Sequence, residues 1–174
     1  MSLNAQMAEQ IRDGLVKAYE HESQTTLKVI KAVPNDKLAF TPHAKSMSMN
    51  ELVWHTVVAE QMFLGGILKG AFGKETLPTD LPKDPPKTIT EIASVYEKLT
   101  AARISELKSA SGEMLGKELN FHDFMKMPAI HFLQICMNHT IHHRGQLTVY
   151  LRLVDAPVPS VYGPSADDNP FAKK

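Results

Sequence analysis

The chain of 174 residues carries a single cysteine, Cys136. A lone thiol closes no internal disulfide, so packing alone must hold the fold, and a reducing compartment suits it. Net charge is also missing, because 19 basic residues balance 19 acidic ones. Proteins dedicated to nucleic acid or to anionic membranes need a basic surface, so neutrality argues against both partners. No apolar run approaches the ~18 residues of a membrane span. The opening "MSLNAQMAEQIRDG" has no signal-peptide core. A cytoplasmic location is the expectation. The familiar catalytic signatures are absent as well: there is no G-x-G-x-x-G, no phosphate-binding loop and no G-x-S-x-G. "HESQT" at His21 lacks the second histidine of H-E-x-x-H. The paired E-x-x-H elements of di-iron bundles do not occur either.

What remains is an ordinary globular composition, 43% apolar and 22% charged. The length suits one domain over 1–174, with 168–174 as a loose tail. Four helices are predicted. Ala8, Ile11, Leu15, Tyr19, Thr26, Val29 and Ile30 recur every three or four positions, giving one apolar face up to a stop at Pro34. "SMNE" and "TITE" place a Ser or Thr three residues before Glu51 and Glu91, the capping-box signature of two further starts. The Gly65-Gly66 pair either weakens the end of the second helix or permits close helix packing. Arg103 interrupts the stripe of the third. A fourth helix runs from just after Pro128, placed at its first turn, to about Asp155.

Two connections separate these helices. "GAFGKETLPTDLPKDPPK" reads as loop, and "SGEMLGKELNFHDFMKMP" as either a short strand pair or an irregular cap. The tail after Asp155 should be extended. The first connection is long enough to cross a bundle, since ~17 residues reach up to ~55 Å while a ~22-residue helix spans ~33 Å. The expected fold is all-α: a four-helix bundle with a long crossover between helices 2 and 3.

Histidine is the residue that clusters. "NHTIHHRGQL" holds His139, His142 and His143. At about 100° per residue His139 and His143 lie about 40° apart, one turn above the other, while His142 sits at the edge of that face. Phe132, Ile135, Gln146, Tyr150 and Leu153 share it. An apolar, core-facing surface taxes uncompensated polar groups. Two compensations are open: convergence on one metal ion, or ordinary hydrogen bonds. A third imidazole, His55, lies on the core stripe of the second helix with Leu52, Ala59 and Met62. Glu51, one turn earlier, is either a cap or a carboxylate behind the ligands, with capping favoured. Cys136 is either near the ion or a small buried thiol. Arg144 should point away, to a neighbouring helix or solvent. His142 is either a proton shuttle or a surface hydrogen-bonder. His21, His43, His122 and His131 lie off the face.

"MNELVWHTVVAEQMFL", "NHTIHHRGQLTVYLRL" and "VPSVYGPSADD" together resemble the DinB-like (YfiT-like) family of metalloenzymes. The resemblance implies a four-helix bundle in up-down-down-up order and a divalent ion, zinc or nickel, on His55, His139 and His143. It also implies pairing as a homodimer in some members, and activities that include transferases using low-molecular-weight thiols. Three neutral ligands leave a coordination position open for water or substrate. The expected function is a metal-dependent hydrolase or thiol transferase acting on a small molecule, with a low-molecular-weight thiol as co-substrate. The alternative is a non-catalytic metal-binding or stress-response protein.

Overall fold

The computed structural model describes residues 3–172. Among them are five α-helices: α1 (Ala5–Lys31), α2 (Met49–Lys69), α3 (Ile89–Ser109), α4 (Gly112–Gly116) and α5 (His131–Leu153). One antiparallel hairpin, β1 (Glu118–Phe121) with β2 (Met125–Pro128), accompanies them. Residues 173 and 174 of the expected loose tail lie outside the described residues. No helix among those described is long and apolar enough to cross a membrane.

Local chemistry sets the helix ends. The Asn4 side chain accepts from the Met7 N–H at the start of α1. Ser48 and Thr88 make reciprocal capping boxes with Glu51 and Glu91, so two orphan N–H groups at each start find acceptors. Gly70 closes α2 at φ 72°, a conformation glycine adopts without the Cβ penalty. The Gly65-Gly66 pair neither ends α2 early nor seats another helix. A Cβ on Gly65 would run into the Thr76 carbonyl and one on Gly66 into the Phe72 ring, so the pair makes room for the returning loop.

The region between α3 and α5 resolves the open choice in favour of strands, preceded by the one-turn α4. An all-helical chain is thus amended by one hairpin. His122 and Asp123 both take positive φ, 50° and 59°. They are the central pair of a turn closed by the Phe124 N–H on the Phe121 carbonyl, within a three-residue loop between the paired Phe121 and Met125. Asn120 holds it by accepting from the Asp123 N–H at 2.9 Å and donating to its carboxylate at 2.7 Å. Pro128 is not in the first turn of a helix, as the sequence suggested. It ends β2 opposite Glu118, and α5 starts only at His131. The Ala129 and Ile130 N–H groups are taken by Lys117 and Leu115 carbonyls, which ties the chain to the end of α4 before the helix begins.

The interior falls into two apolar clusters. One gathers Tyr19, Leu64, Ile67, Leu107, Leu115, Phe132 and Leu133 with the hairpin. The other gathers Ile30, Met49, Val53, Ile92, Tyr96 and Leu151. Between them, at the middle of the long helices, lie the buried polar residues Ser23, Thr26, Glu60, Gln61, Thr100, Arg103, Thr140 and Arg144. Helix α1 packs on α3 and α5, and α2 packs on α5 and α3. Lys31 pairs with Glu97 and Lys108 with Glu20 across α1 and α3.

After α5 the tail has no regular structure but is tied down. Arg152 pairs with Asp167 at 2.6 Å. Asp168 accepts from the Ser160 N–H at 2.9 Å and meets the Lys28 ammonium at 3.5 Å.

Candidate metal centre

His55 projects from α2, and His139 and His143 project from successive turns of α5. The two helices pack together, so the three rings meet: centroids lie 5.2 Å apart for His55 and His139, 4.6 Å for His55 and His143, and 4.4 Å for His139 and His143. One potential ligand atom from each lies within 4.8 Å of the other two. The Nε2 atoms of His139 and His143 are 3.1 Å apart. Two ligands of one tetrahedral ion at bond lengths of ~2.0–2.1 Å stand about 3.3 Å apart, so this spacing is close to a shared edge.

The His143 tautomer suits ligation. His143 Nδ1 lies 2.8 Å from Gln146 Oε1, an oxygen that only accepts. Nδ1 therefore carries the hydrogen and Nε2 presents its lone pair to the cluster. His139 Nδ1 is buried with no hydrogen-bond partner. Its Nε2 meets the His143 Nε2 lone pair at 3.1 Å, so in the metal-free chain it carries the hydrogen of that contact, and offering a lone pair to an ion takes a shift of this hydrogen to Nδ1. Burial pushes the pKa of His139 down to about 4, with the nearby imidazoles adding to the shift. Burial also lowers His55 and His143. All three rings are neutral at pH 7, the form that binds a cation. The donor set fits a divalent ion, and three donors leave a tetrahedral ion one position short.

The other candidates are placed elsewhere. His142 is exposed, with its ring 4.9 Å from that of His143, and stands outside the convergent group. Glu51 is spent on the Ser48 cap, where its carboxylate accepts from the Ser48 N–H at 2.7 Å and hydroxyl at 2.8 Å. Tyr150 donates its hydroxyl to the Met47 carbonyl. Cys136 is fully buried and its Sγ faces the Glu60 carbonyl at 3.9 Å, so it is a packed thiol. Arg144 turns to α1, pairing with Glu22 at 2.7 Å and donating to Thr26 and Tyr162. His21, His43, His122 and His131 are all exposed. The expected apolar face of α5 runs out before its end, because Leu153 is 56% exposed. The three histidines are half-buried at the border of the core.

The sequence reading missed the most buried acid in the chain. Glu60, five residues past His55, is wholly buried. It accepts hydroxyls from Tyr19 at 2.6 Å, Thr100 at 3.1 Å, Thr140 at 3.1 Å and Tyr96 at 3.2 Å. These donors come from α1, α3 and α5. The available signal was a lone charge within the otherwise apolar or amide run "VVAEQMFL". The partner role of Gln146 was equally illegible, since spacing alone does not separate it from Tyr150 or Glu51.

Comparison with known proteins finds relatives along nearly the whole chain. The chain is 28% identical over 161 residues to the uncharacterized protein YrdA of Bacillus subtilis (strain 168), covering 91% of this chain and 92% of that one. It superposes with a TM-score of 0.71 on a crystal structure of a DinB-like protein from Bacillus cereus ATCC 10987, at 28% identity over 86% of this chain and 97% of the other. A DinB-like protein of Bacillus subtilis, YjoA, shares the fold at a TM-score of 0.69 and 21% identity, covering 90% of this chain and 99% of that one. The family model described as DinB family matches residues 1–170. With its helical fold and three-histidine cluster, the chain belongs to the DinB family.

Proposed function

We propose that the protein is a divalent-metal-dependent enzyme in which His55, His139 and His143 hold zinc or nickel beside a position open to a small molecule. The observation that carries this reading is the convergence of three neutral imidazoles from two helices, with one of them oriented by Gln146. A divalent ion there supplies Lewis acidity towards water or a low-molecular-weight thiol, chemistry of hydrolase or thiol S-transferase type. The chain's own part is to hold the rings neutral by burial, to fix the His143 tautomer through Gln146, and to leave one side of the cluster exposed.

The order of cross-helix contacts supports an up-down-down-up bundle. Glu60 and Gln61 of α2 meet Thr100 and Arg103 of α3 in the same order. Lys31–Glu97 and Glu20–Lys108 between α1 and α3 run in opposite order. The loop after α2 is then a crossover along the bundle.

A second reading keeps the ion without turnover. It draws on the absence of a carboxylate from the cluster among the described residues, and on the commitment of Glu51 to its cap. Elemental analysis of tag-free protein after metal supplementation tests both readings. About one ion per chain is expected in the wild type and almost none in His139→Ala. A wild-type content near zero rejects both. A loaded protein inert towards a broad panel of thiols and electrophiles selects the second.

A further inference from the structure

Two helices carry the three histidines, and something must hold those helices at a fixed offset. His55 on α2 meets His139 and His143 ring to ring and makes no hydrogen bond to either. Among the described residues, the hydrogen bonds that join α2 to α5 both end on Glu60. Thr140 donates its hydroxyl to Oε2 at 3.1 Å, and the Cys136 thiol faces the backbone carbonyl at 3.9 Å. Arg144 ties α5 to α1 instead, a helix without a ligand. Apolar packing presses α2 and α5 together but is non-directional. A directional contact is needed to fix how one helix slides or turns against the other, since a metal site tolerates only about 0.2 Å of error in each bond.

Thr140 suits that task. It follows His139 directly, one step of ~1.5 Å and ~100° along α5. Its hydroxyl stands one torsion from the backbone, and its β-branch restricts that torsion, so the bond follows the position of the helix itself. Helical threonines commonly turn the hydroxyl back on their own helix, as Thr56 does on the Leu52 carbonyl and Thr148 on the Gly145 carbonyl. Thr140 reaches across to α2. The acceptor it meets is held from the far side. Tyr19 of α1 and Thr100 of α3 donate to Oε1 at 2.6 Å and 3.1 Å, and Tyr96 of α3 shares Oε2 at 3.2 Å. The carboxylate is an anchor fixed by two helices that carry no ligand.

We propose that Thr140 is a positioning residue for the histidine centre. By donating to the anchored Glu60 carboxylate it sets the height and rotation of α5 against α2, and with them the reach from His55 to the His139–His143 pair. The assignment rests on the metal reading above and adds to it the contact that aligns the ligands.

The test uses cobalt(II) with the full-length protein, which reports affinity by titration and coordination by the visible absorption of the bound ion. Thr140→Val keeps the side-chain shape and removes the donor. It should weaken cobalt binding about tenfold and dim the visible bands, because a site that loses the reach of His55 takes up water and departs from tetrahedral coordination. Thr140→Ser keeps the hydroxyl and should bind within about threefold of the wild type, with the wild-type spectrum. Glu60 keeps three of its four hydroxyl donors in Thr140→Val, and Thr140→Ala serves as a second removal of the hydroxyl. Tyr96→Phe removes the other donor to the same oxygen, from a helix without a ligand. It should lower the unfolding midpoint of the metal-free protein about as much as Thr140→Val does, yet leave cobalt affinity within about twofold of the wild type. Cobalt binding to Thr140→Val as tight as to the wild type, or Thr140→Ser as weak as Thr140→Val, overturns the assignment with the metal centre standing. An equal loss of affinity in Tyr96→Phe makes Thr140 one strut of the core among several and overturns it as well. A wild type that takes up no cobalt removes the centre, and the assignment with it.

Discussion

Glu60 and the three-histidine cluster occupy the same level of the molecule, and Glu60 follows His55 on α2 by five residues. They treat buried polarity in opposite ways. Both Glu60 oxygens are filled: Tyr19 and Thr100 donate to one, Tyr96 and Thr140 to the other. Four donors match the capacity of a carboxylate, and nothing is left over for a ligand. At the cluster, two imidazole nitrogens face each other at 3.1 Å and a third, His139 Nδ1, has no partner. A polar group whose bonding capacity is filled by its own chain belongs to the structure. One left under-filled at the border of the core is where the chain waits for something else.

The strongest way to break this comparison is Glu60→Ala. It strands four hydroxyls and opens a void at the junction of both apolar clusters, and should cost about 3–5 kcal/mol in urea unfolding. A cost under ~1 kcal/mol would show that the closed region is not structural. The histidines should answer differently. A divalent ion at a hundredfold excess over its Kd should stabilise the wild type by about 2.7 kcal/mol, read as a rise in unfolding midpoint. His139→Ala should abolish that rise, while its metal-free form unfolds within ~1 kcal/mol of the metal-free wild type. Equal losses for metal-free His139→Ala and Glu60→Ala would erase the distinction between the two regions.

Gln146→Ala sharpens the comparison within the cluster. Gln146 bonds to His143, so its loss frees the His143 tautomer without removing a donor. Ion affinity should fall about tenfold, or ~1.4 kcal/mol, with metal-free stability unchanged. An unchanged affinity by isothermal titration would mean that ring packing, not the amide, orients His143.

Sequence legibility divides along the same line. The capping boxes at Ser48 and Thr88, the three histidines and the direction of Arg144 follow from spacing, because helical periodicity fixes what shares a face. Pro128 misled because proline tolerates both the first turn of a helix and a strand end, and only pairing with Glu118 decides between them. The hairpin turn at His122 and Asp123 carries no glycine, so the usual signal for positive φ was missing. The Glu60 network was hidden for another reason. Its donors lie 36 to 80 residues away on three other helices, and no local pattern encodes a meeting at that distance.

The smallest effect separates the two regions by sign. In the metal-free protein, burial lowers the His139 pKa to about 4 from an unfolded value near 6.5. The folded state then binds fewer protons than the unfolded one between these values. The histidine contribution is full above about pH 6.5 and is lost as pH falls towards 4. His55 and His143 shift the same way. Glu60 moves oppositely, because burial raises its pKa further than the four hydroxyl donors lower it. Its contribution is present below the ordinary carboxylate range and fades as pH rises through the raised value. The two trends offset each other in the wild type, and single variants should uncover them. Metal-free Glu60→Gln should gain stability relative to wild type as pH rises from about 4.5, and metal-free His139→Ala should lose the steepest part of the rise towards pH 6.5. Screening of the half-exposed ring holds the histidine effect to about 1 kcal/mol or less. Unfolding midpoints for the three proteins at half-unit steps from pH 4 to 7.5 would measure both. Parallel curves for wild type and His139→Ala would mean that the ring sits in an environment as wet as that of the unfolded chain, which its orphaned Nδ1 contradicts.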